Sequence, residues 1–224
     1  PDKTAVFGDY YRDLLIKTGN YSKDSLVVTG QPRTDIFFEN KKTYSKRALY
    51  SKLGLDSSKK LVVFASQPIK EEESKVNFTA LARALKGIKN TELIIKLHPN
   101  DKEELYRKIL AELKYNCTIT RDIDLYELLF CSDIVASIYS TVMLEALIMD
   151  KPVIQLNLLE KYSLFPKLNS PIVQITKESE LGIAINGLLS NNAKLKKNDE
   201  IRKKFVLEHY NHIDGNATKR FLKL

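Results

Sequence analysis

The sequence predicts an α/β fold with a doubly wound parallel sheet. Three observations lead to this prediction. Short runs rich in β-branched residues recur along the 224 residues, and helical patterns separate them. The runs are continuously apolar rather than alternating in polarity, which is typical of strands that helices cover on both faces. Because helices separate consecutive strands, we expect a parallel sheet with right-handed crossovers.

The individual elements follow from local patterns. The strand candidates are short and rich in valine and isoleucine, and they lie at residues 4–8, 26–30, 61–66, 92–97, 117–120, 133–137, 152–157 and 172–176. A helix is expected between the first two strands. The later helix candidates repeat apolar residues every three or four positions, and they lie at residues 72–87, 102–113, 125–131, 140–149 and 177–189.

The chain is predicted to hold one Rossmann-like half and the end of another. A basic helix is expected at 43–53, with Gly54 at its C-cap. Residues 1–59 are therefore interpreted as the tail of a preceding Rossmann-like half with its connecting segment. Residues 60–224 are interpreted as the main domain, which ends in basic helices. Because the sequence begins with Pro1, we expect it to be part of a longer protein.

The composition excludes several classes of protein. With 43% hydrophobic and 29% charged residues, the chain is neither collagen-like nor a disordered tail. Its two cysteines do not make a disulfide scaffold, and they fit a reducing compartment. The longest apolar stretch, residues 125–149, contains three acidic residues, so no transmembrane helix is predicted.

The net charge of +8 is concentrated near the C-terminus. Residues 191–224 hold nine Lys or Arg against four Asp or Glu, a net charge of +5. Two interpretations stay open: a solvated pair of basic helices, or attraction to phosphate-rich ligands or an anionic membrane surface. No nucleic-acid partner is predicted, because the chain has no Trp and no recognisable nucleic-acid motif.

Polar residues follow three of the predicted strands. Ligands of an open parallel sheet bind outside the carboxyl ends of its strands, near the point where the strand order reverses. The polar segments there are Ser66-Gln67-Pro68, His98-Pro99-Asn100, and Ser137 with Tyr139-Ser140-Thr141. Because the carboxyl ends of parallel strands converge at one edge, these segments form the candidate binding site.

The Ser140-Thr141 pair is a candidate phosphate cradle. Either residue would cap the following helix, whose free N–H groups favour an anion. His98 would supply a cation or a proton donor to the same phosphate. Glu145, one turn further along, would accept the two hydroxyls of a ribose. Each residue also has a structural alternative: a helix cap, a strand terminator for His98, or a solvated helix position for Glu145.

Other motifs give no support to competing sites. The chain has no Gly-x-Gly-x-x-Gly motif, and the Gly182–Gly187 spacing lacks the Lys-Ser/Thr of a phosphate loop. His209 and His212 lie three residues apart without a recognisable set of further ligands, so no metal site is predicted. Cys117 and Cys131 are interpreted as small core residues.

Four segments together resemble a known group of enzymes: TGQPRTD (29–35), KLHPND (96–101), the stretch 124–154, and DGNATKR (214–220). They are similar to the C-terminal, donor-binding half of GT-B transferases that build surface polymers. The CDP-glycerol glycerophosphotransferases and the bacterial polysialyl and capsule transferases are the closest in pattern. UDP-N-acetylglucosamine 2-epimerases share the fold and part of the pattern.

The resemblance implies roles for particular residues. The His-Pro pair of these families matches His98-Pro99, with the His as the catalytic group on the donor phosphate. Their hydroxyl pair matches Ser140-Thr141, which holds the same phosphate. Their Gly-x-Pro-Arg-x-Asp string matches residues 30–35 on the segment that joins the two halves, so that Gly30, Arg33 and Asp35 are its characteristic residues.

Two departures from the family pattern leave the substrate open between a sugar and a polyol phosphate. Ile138 stands where the glycerophosphotransferases have Asp, and Glu145-Ala146 is more like the sugar-nucleotide enzymes. Residues 60–224 would then be the donor-binding domain. Its nucleotide and ribose contacts are expected from Glu145 together with Ser66, Gln67, Pro99, Ser137 and Tyr139.

The resemblance implies a cytoplasmic glycosyl- or glycerophosphotransferase of surface polysaccharide synthesis, with peripheral contact at the inner face of the membrane. Its donor would be a CDP-, CMP- or UDP-linked sugar or polyol phosphate, bound as substrate with no cofactor or metal. The polymer acceptor would bind an N-terminal half outside this sequence. Two alternatives stay open: an epimerase acting on UDP-N-acetylglucosamine, and a non-catalytic nucleotide-binding module.

Overall fold

The computed structural model describes residues 2–37, 43–161, 170–190 and 194–224, the last range with side chains from residue 199 onward. The start of the predicted basic C-terminal region, residues 191–193, lies outside the described residues. The chain divides into two compact units, Tyr44–Lys197 and Pro1–Thr43 with Asn198–Leu224. We refer to the first as the sheet unit and to the second as the terminal unit.

The strands and helices alternate through most of the chain. The strands are β1 (Thr4–Val6), β2 (Leu26–Val28), β3 (Lys60–Ala65), β4 (Thr91–Lys96), β5 (Thr118–Thr120), β6 (Ile134–Ser137), β7 (Val153–Leu156) and β8 (Ile172–Ile175). The helices are α1 (Asp9–Thr18), α2 (Lys46–Leu53), α3 (Glu71–Lys86), α4 (Glu103–Leu113), α5 (Leu125–Cys131), α6 (Val142–Ile148), α7 (Glu178–Leu189), α8 (Lys194–Tyr210) and α9 (Ala217–Phe221). Short 3₁₀ turns occur at Lys23–Ser25 and Pro32–Asp35.

The sheet unit is built on a six-stranded parallel sheet of order β5-β4-β3-β6-β7-β8. The chain runs outward from β3 through β4 to β5, then returns to the other side of β3 and runs outward again through β6, β7 and β8. This reversal places the switch point between β3 and β6. A ligand crevice is expected there, at the carboxyl ends of the two strands.

Helices cover both faces of this sheet. Val62 of β3 lies in one hydrophobic cluster, which also contains Phe78 of α3. Its neighbour Val63 lies in a second cluster, with Leu49 of α2 and Leu128 of α5. Because consecutive side chains of a strand point to opposite faces, both must be apolar when both faces are covered. This explains the continuous apolar runs in the sequence.

The terminal unit pairs β1 with β2 in parallel and joins them through α1. The end of α8 packs closely on this segment: a Cβ atom added to Gly8 would lie 2.3 Å from the Glu208 carbonyl oxygen. The ring of Phe7 stacks on that of Tyr210, with 6.2 Å between their centroids. The contacts therefore group Asn198–Leu224 with Pro1–Thr43, whereas the sequence pattern assigned these residues to the donor-binding domain.

The predicted fold class is confirmed, and each predicted strand is present with its ends within two residues. Helix α2 begins at Lys46 rather than at residue 43, because the Ser45 hydroxyl accepts a hydrogen bond from the Ala48 N–H (3.3 Å) and caps the helix there. It ends at Gly54 in the left-handed conformation (φ 64°), as predicted. Among the described residues, none of the helices has the length and apolar character of a membrane span.

Candidate functional site

The candidate site lies at the carboxyl ends of β4, β3 and β6, which are adjacent in the sheet. The segments that follow these strands are the three that the sequence singled out. Neighbouring strands of a sheet lie about 4.8 Å apart, so the ends of β4 and β6 are separated by about 10 Å. Side chains from the two flanking loops can therefore reach one ligand group above β3.

His98 follows β4 and is exposed to solvent. Its backbone N–H donates to the Ser66 hydroxyl (3.0 Å), which ties the end of β4 to that of β3. Its ring Nδ1 accepts a hydrogen bond from the Asn100 N–H (3.2 Å). A neutral imidazole with an acceptor Nδ1 carries its proton on Nε2. His98 is thereby held in the tautomer that presents an Nε2–H donor.

The segment His98–Asp101 forms a tight turn, since the Asp101 N–H donates to the His98 carbonyl (3.0 Å). Pro99 and Asn100 are both exposed. Below the turn, the buried Tyr106 hydroxyl donates to the Asp101 carboxylate (2.7 Å). Burial, followed by this carboxylate, raises the pKa of Tyr106, so the hydroxyl keeps its proton as a donor. The predicted His-Pro pair therefore lies on a turn that is anchored from beneath.

Arg121 is a residue of this site that sequence reasoning missed. It follows β5, and its guanidinium donates to the carbonyls of His98 (2.8 Å), Pro99 (3.1 Å) and Asp101 (2.6 Å). The signal was present in the sequence, because Arg121 comes directly after a predicted strand, as the other site residues do.

Gln67 connects the end of β3 to that of β6. Its side-chain oxygen accepts from the Tyr139 N–H and lies 3.3 Å from the Ser137 hydroxyl. Ser137 is fully buried, and its hydroxyl donates to the Ala65 carbonyl at 2.8 Å. Both residues were predicted as ligand contacts, and the structure gives their polar groups partners within the sheet unit. Tyr139 itself is 43% exposed. Pro99, in the loop that follows β4 on the other side of β3, also lies at the surface.

Ser140 and Thr141 precede α6 and have different local roles. The Ser140 hydroxyl accepts from the Val142 N–H (3.2 Å) and so caps the helix, whereas Thr141 makes no side-chain cap. The Ser140 carbonyl accepts from the Met143 N–H (3.2 Å). Two of the N–H groups that were expected to face an anion are therefore used within the turn. A serine hydroxyl can still donate while it accepts, and Thr141 is exposed, so both hydroxyls can act as donors.

Glu145 lies in α6 and is only 4% exposed. Its carboxylate is therefore below the surface of the site, and contact with a ribose stays a prediction. The loop above it is held by Gln155 of β7, whose amide nitrogen donates to the Ile138 carbonyl (3.1 Å). The amide oxygen of Gln155 accepts in turn from Gln174 (3.1 Å). A Gln inside an apolar strand pattern was the sequence signal for this support.

The characteristic residues of the Gly-x-Pro-Arg-x-Asp string lie in the terminal unit, with Arg33 in the 3₁₀ turn Pro32–Asp35. The Asp35 carboxylate accepts from the N–H groups of Ala217 (3.0 Å) and Thr218 (2.8 Å), at the start of α9. Gly30 has a φ of 78°, which favours glycine. The segments TGQPRTD and DGNATKR, far apart in the sequence, therefore contact each other.

The arrangement of His, Cys, Asp and Glu side chains bears on metal binding. Within the described ranges, no group of three or more His, Cys, Asp or Glu side chains is arranged to hold a metal ion. His209 is buried in the terminal unit, where its ring stacks on Phe205 with 3.9 Å between centroids. Burial raises the pKa of the Cys117 thiol to about 12, and the residue packs against the core cluster, which is consistent with its interpretation as a small core residue.

Comparison with known proteins places these features in a family. A family model described as CDP-glycerol:poly(glycerophosphate) glycerophosphotransferase matches residues 2–224. The teichoic acid poly(ribitol-phosphate) polymerase of Bacillus spizizenii is 31% identical over 142 residues, which cover 58% of this chain and 22% of that protein. The teichoic acid glycerol-phosphate primase of the same organism is 28% identical over 167 residues, 68% of this chain and 39% of that one.

Solved structures show the same fold at low sequence identity. The wall teichoic acid polymerase TagF, as its H548A variant, aligns with a TM-score of 0.67 and 18% identity over 98% of this chain and 56% of that one. A UDP-N-acetylglucosamine 2-epimerase from Listeria monocytogenes, described as putative, aligns with a TM-score of 0.71 and 21% identity, over 99% of this chain and 58% of that one. The chain thus spans less than two thirds of the proteins it matches.

The expected Rossmann-like α/β fold with a doubly wound parallel sheet is confirmed by these alignments together with the strand order. The expected relationship to the glycerophosphotransferases is also confirmed. Since the family model covers the chain from residue 2 to residue 224, the chain belongs to the CDP-glycerol:poly(glycerophosphate) glycerophosphotransferase family.

Proposed function

We propose that this chain is the donor-binding part of a transferase that builds a phosphate-linked cell-wall polymer. Its ligand is a nucleotide-activated polyol phosphate, bound at the carboxyl ends of β4, β3 and β6. One observation carries the proposal: the exposed His98 and the Ser140-Thr141 hydroxyls flank the switch point of the sheet, each on a loop that hydrogen bonds hold in place.

The arrangement suits a diphosphate. The Nε2–H of His98 would donate from the β4 side, and the hydroxyls of Ser140 and Thr141 would donate from the β6 side. Hydrogen bonds to a charged phosphate oxygen are about twice as strong as those between neutral groups. Loops that are already ordered lose little conformational entropy when the ligand binds.

The same groups would act on the transition state. When an acceptor hydroxyl attacks the donor, the bond to the leaving nucleotide breaks and negative charge grows on its phosphate. Donors aimed at that charge lower the barrier, and removal of one such donor costs roughly 10²–10³ in rate. We expect acceptor binding and the general base to lie in the part of the relatives that this chain does not span.

The comparisons support a CDP-linked donor. The description of the family model names CDP-glycerol, and one of the matching structures is the H444N variant of TagF soaked with CDPG. The two sequence departures bear on the donated group rather than on the phosphates. Ile138 and Glu145 are both buried, so neither side chain lies at the surface where the phosphates are proposed to bind.

Calorimetric titration with CMP, CDP, CDP-glycerol, UMP and UDP tests this proposal. We expect the cytidine ligands to bind more tightly than the uridine ligands, and His98→Ala to weaken them by about tenfold, since a hydrogen bond to a charged group contributes about 1.5–3 kcal/mol. His212→Ala is the matched control, because His212 is an exposed histidine of the terminal unit. Equal affinity for all five ligands, or the same loss in both variants, would contradict the proposal.

A second candidate is an epimerase acting on a UDP-linked sugar. It is favoured by the epimerase alignments, including the Neisseria meningitidis enzyme bound to UDP-N-acetylglucosamine with a TM-score of 0.70. Tighter binding of UDP than of CDP, with exchange of the C2 proton of the sugar by a longer protein, would support it. Nucleotide binding by a longer protein that neither transfers the donor group nor exchanges the C2 proton would instead indicate a non-catalytic nucleotide-binding module.

We also propose that the protein works in contact with the anionic inner face of the cell membrane. The support is the exposed lysines of α8, such as Lys203 and Lys204, whose side chains are 70% and 78% exposed. Attraction of this kind is screened by salt. We therefore expect the protein to cosediment with anionic vesicles at low salt and to be released as the salt concentration rises. Cosedimentation that is the same at low and high salt would contradict an electrostatic contact.

A further inference from the structure

Two cationic side chains, Arg121 and Lys96, connect the loops that follow β4 and β5. Each side chain donates hydrogen bonds to backbone carbonyls on the other side. Arg121, from the β5 loop, donates to three carbonyls of the His98–Asp101 turn. Lys96, the last residue of β4, donates through its ammonium to the carbonyls of Arg121 and Ile123 (2.7 Å to Ile123) in the β5 loop. The β5 loop therefore supplies a cation that holds the turn after β4, and the end of β4 supplies a cation that holds the β5 loop.

The contacts of Arg121 match the chemistry of its side chain. A guanidinium is planar and presents five N–H donors in a fixed geometry, so it can hold several carbonyl oxygens at once. The carbonyls that it contacts belong to the first, second and fourth residues of the turn. These oxygens stay together only while the turn keeps its shape.

The shape of the His98–Asp101 turn determines the tautomer of His98. The Asn100 N–H reaches Nδ1 of His98 because the turn brings residue 100 back toward residue 98. If the turn opens, this hydrogen bond is lost and the proton can occupy either ring nitrogen. The Nε2–H donor would then be present in only part of the molecules.

We infer that Arg121 is a positioning residue: by holding the carbonyls of the His98–Asp101 turn, it keeps His98 in the Nε2–H tautomer and its ring in place for the donor phosphate. The inference rests on the proposed function for the identity of the ligand. The tautomer itself is a property of the free protein, which allows the two ideas to be tested separately.

The first experiment measures the tautomer. Long-range ¹H–¹⁵N spectra of the ¹⁵N-labelled protein distinguish the two neutral forms of imidazole, and the chain has only three histidines to assign. We expect the Nε2–H form for His98, and a mixture of both forms in Arg121→Gln. Arg107→Gln is the matched control, because Arg107 is an exposed arginine of α4 that pairs with Glu103. An unchanged His98 tautomer in Arg121→Gln overturns the inference.

The second experiment is a double-mutant cycle on the affinity for CMP. We expect Arg121→Gln to weaken binding by about tenfold in the native background, within the range of couplings between residues of one network. In the His98→Ala background the same substitution should weaken binding less than twofold, since its effect passes through His98. Equal losses in both backgrounds overturn the inference and indicate that Arg121 acts on its own.

The conservative variant separates geometry from charge. Arg121→Lys keeps the positive charge but not the planar set of donors, so we expect it to bind CMP as weakly as Arg121→Gln. Full affinity in Arg121→Lys would overturn the positioning role, because charge alone would then suffice. If Arg121→Gln does not fold, as checked by its thermal midpoint, Arg121→Lys serves for the tautomer measurement. If the native protein does not bind CMP, the proposed function fails, while the tautomer spectra still decide the inference.

Discussion

Neighbouring residues of the candidate site differ in what their polar groups do. Gln67 and Ser137 hydrogen-bond within the sheet unit and hold the ends of β3 and β6 together. His98 and Thr141 lie at the surface instead. A ligand-binding loop needs both kinds of residue, because exposed donors are effective only when buried hydrogen bonds fix their positions.

Ser140 and Thr141 provide a test at this scale. Ser140→Ala removes the hydroxyl that caps α6, so we expect it to lower the free energy of unfolding by about 1 kcal/mol. Thr141→Val removes an exposed hydroxyl that makes no cap, so stability should stay within about 0.5 kcal/mol of the native protein. Urea unfolding measures both values. Nucleotide titration should show weaker binding in both variants. Thr141→Val with native affinity would exclude its hydroxyl from the site.

At the scale of the secondary-structure elements, the end of α8 lies so close to position 8 that only glycine fits there. A Cβ atom on Gly8 would lie 2.3 Å from the Glu208 carbonyl oxygen and 2.5 Å from the His209 carbonyl carbon, both of them backbone atoms. Its φ of −153° is ordinary extended backbone, so the constraint is steric rather than conformational. The close approach of α8 to the segment after β1 therefore requires glycine at position 8.

Gly8→Ala should destabilise the terminal unit by about 1–3 kcal/mol, because the clash moves α8 away from the segment after β1. The matched control is Gly182→Ala in α7, where an added Cβ has no neighbour within 4 Å. That change should stabilise the protein by about 0.5–1 kcal/mol, the usual difference between Gly and Ala in a helix. Hydrogen exchange of the amides of β1, α1 and α8 locates the effect. Native exchange rates in Gly8→Ala would show that α8 does not need this close contact.

A second pair of elements is joined by polar groups. The Asp35 carboxylate caps α9, and Arg220 of α9 donates to the carbonyl of Thr29 (2.7 Å). Arg220 also pairs with Asp214 (2.9 Å), in the turn before the helix. The two family segments 29–35 and 214–220 therefore form one hydrogen-bonded structure within the terminal unit.

For the molecule as a whole, we expect stability near neutral pH to depend on the buried His209. The ring of His209 stacks between Phe205 and Tyr10, and its Nδ1 lies 2.8 Å from the Phe205 carbonyl. Burial lowers the pKa of His209 below the usual 6.5, although the hydrogen bond and the nearby Glu208 act in the opposite direction. Tyr11 also contacts the ring edge-on, so Tyr10, Tyr11 and Glu208 are titratable groups close to it.

The sign of the effect follows from proton linkage. Below pH 6.5 the unfolded chain binds a proton at position 209 that the folded chain resists, so stability falls as the pH is lowered from 6.5 toward the folded pKa. Asp133 contributes to the pH dependence of stability at lower pH than His209 does. Burial alone would raise its pKa, but hydrogen bonds from Lys46 and the Leu61 N–H lower it, so its contribution is lost only below 3.8.

We therefore expect the free energy of unfolding to decrease between pH 6.5 and 5, as measured by urea denaturation at closely spaced pH values. His209→Phe keeps an aromatic ring in the stack and should remove most of this slope. His212→Phe, at the exposed histidine of the same unit, should leave the slope unchanged. A native slope in His209→Phe would assign the pH dependence to other groups.

Much of the architecture could be predicted because it depends on local periodicity. The eight predicted strands and the helices between them follow from apolar runs and from repeats of three or four residues. The candidate site was placed by similar reasoning, since carboxyl ends of parallel strands share one edge, and ligand binding there stays a prediction. The polar character of Arg121 and Gln155 was visible in the sequence, but their partners were not, because each side chain holds a loop that follows another strand.

By itself, the sequence determined the α/β class, the order of its elements and the strand ends that carry polar groups. Only the tertiary structure decided which of these groups face solvent and which hold the loops. It also grouped Asn198–Leu224 with the N-terminal segment, through bonds such as that from the Ala217 N–H to Asp35, 182 residues away. The physical reason is that periodicity shows which face of an element is buried, whereas a hydrogen-bond partner is determined only when the chain has brought distant residues together.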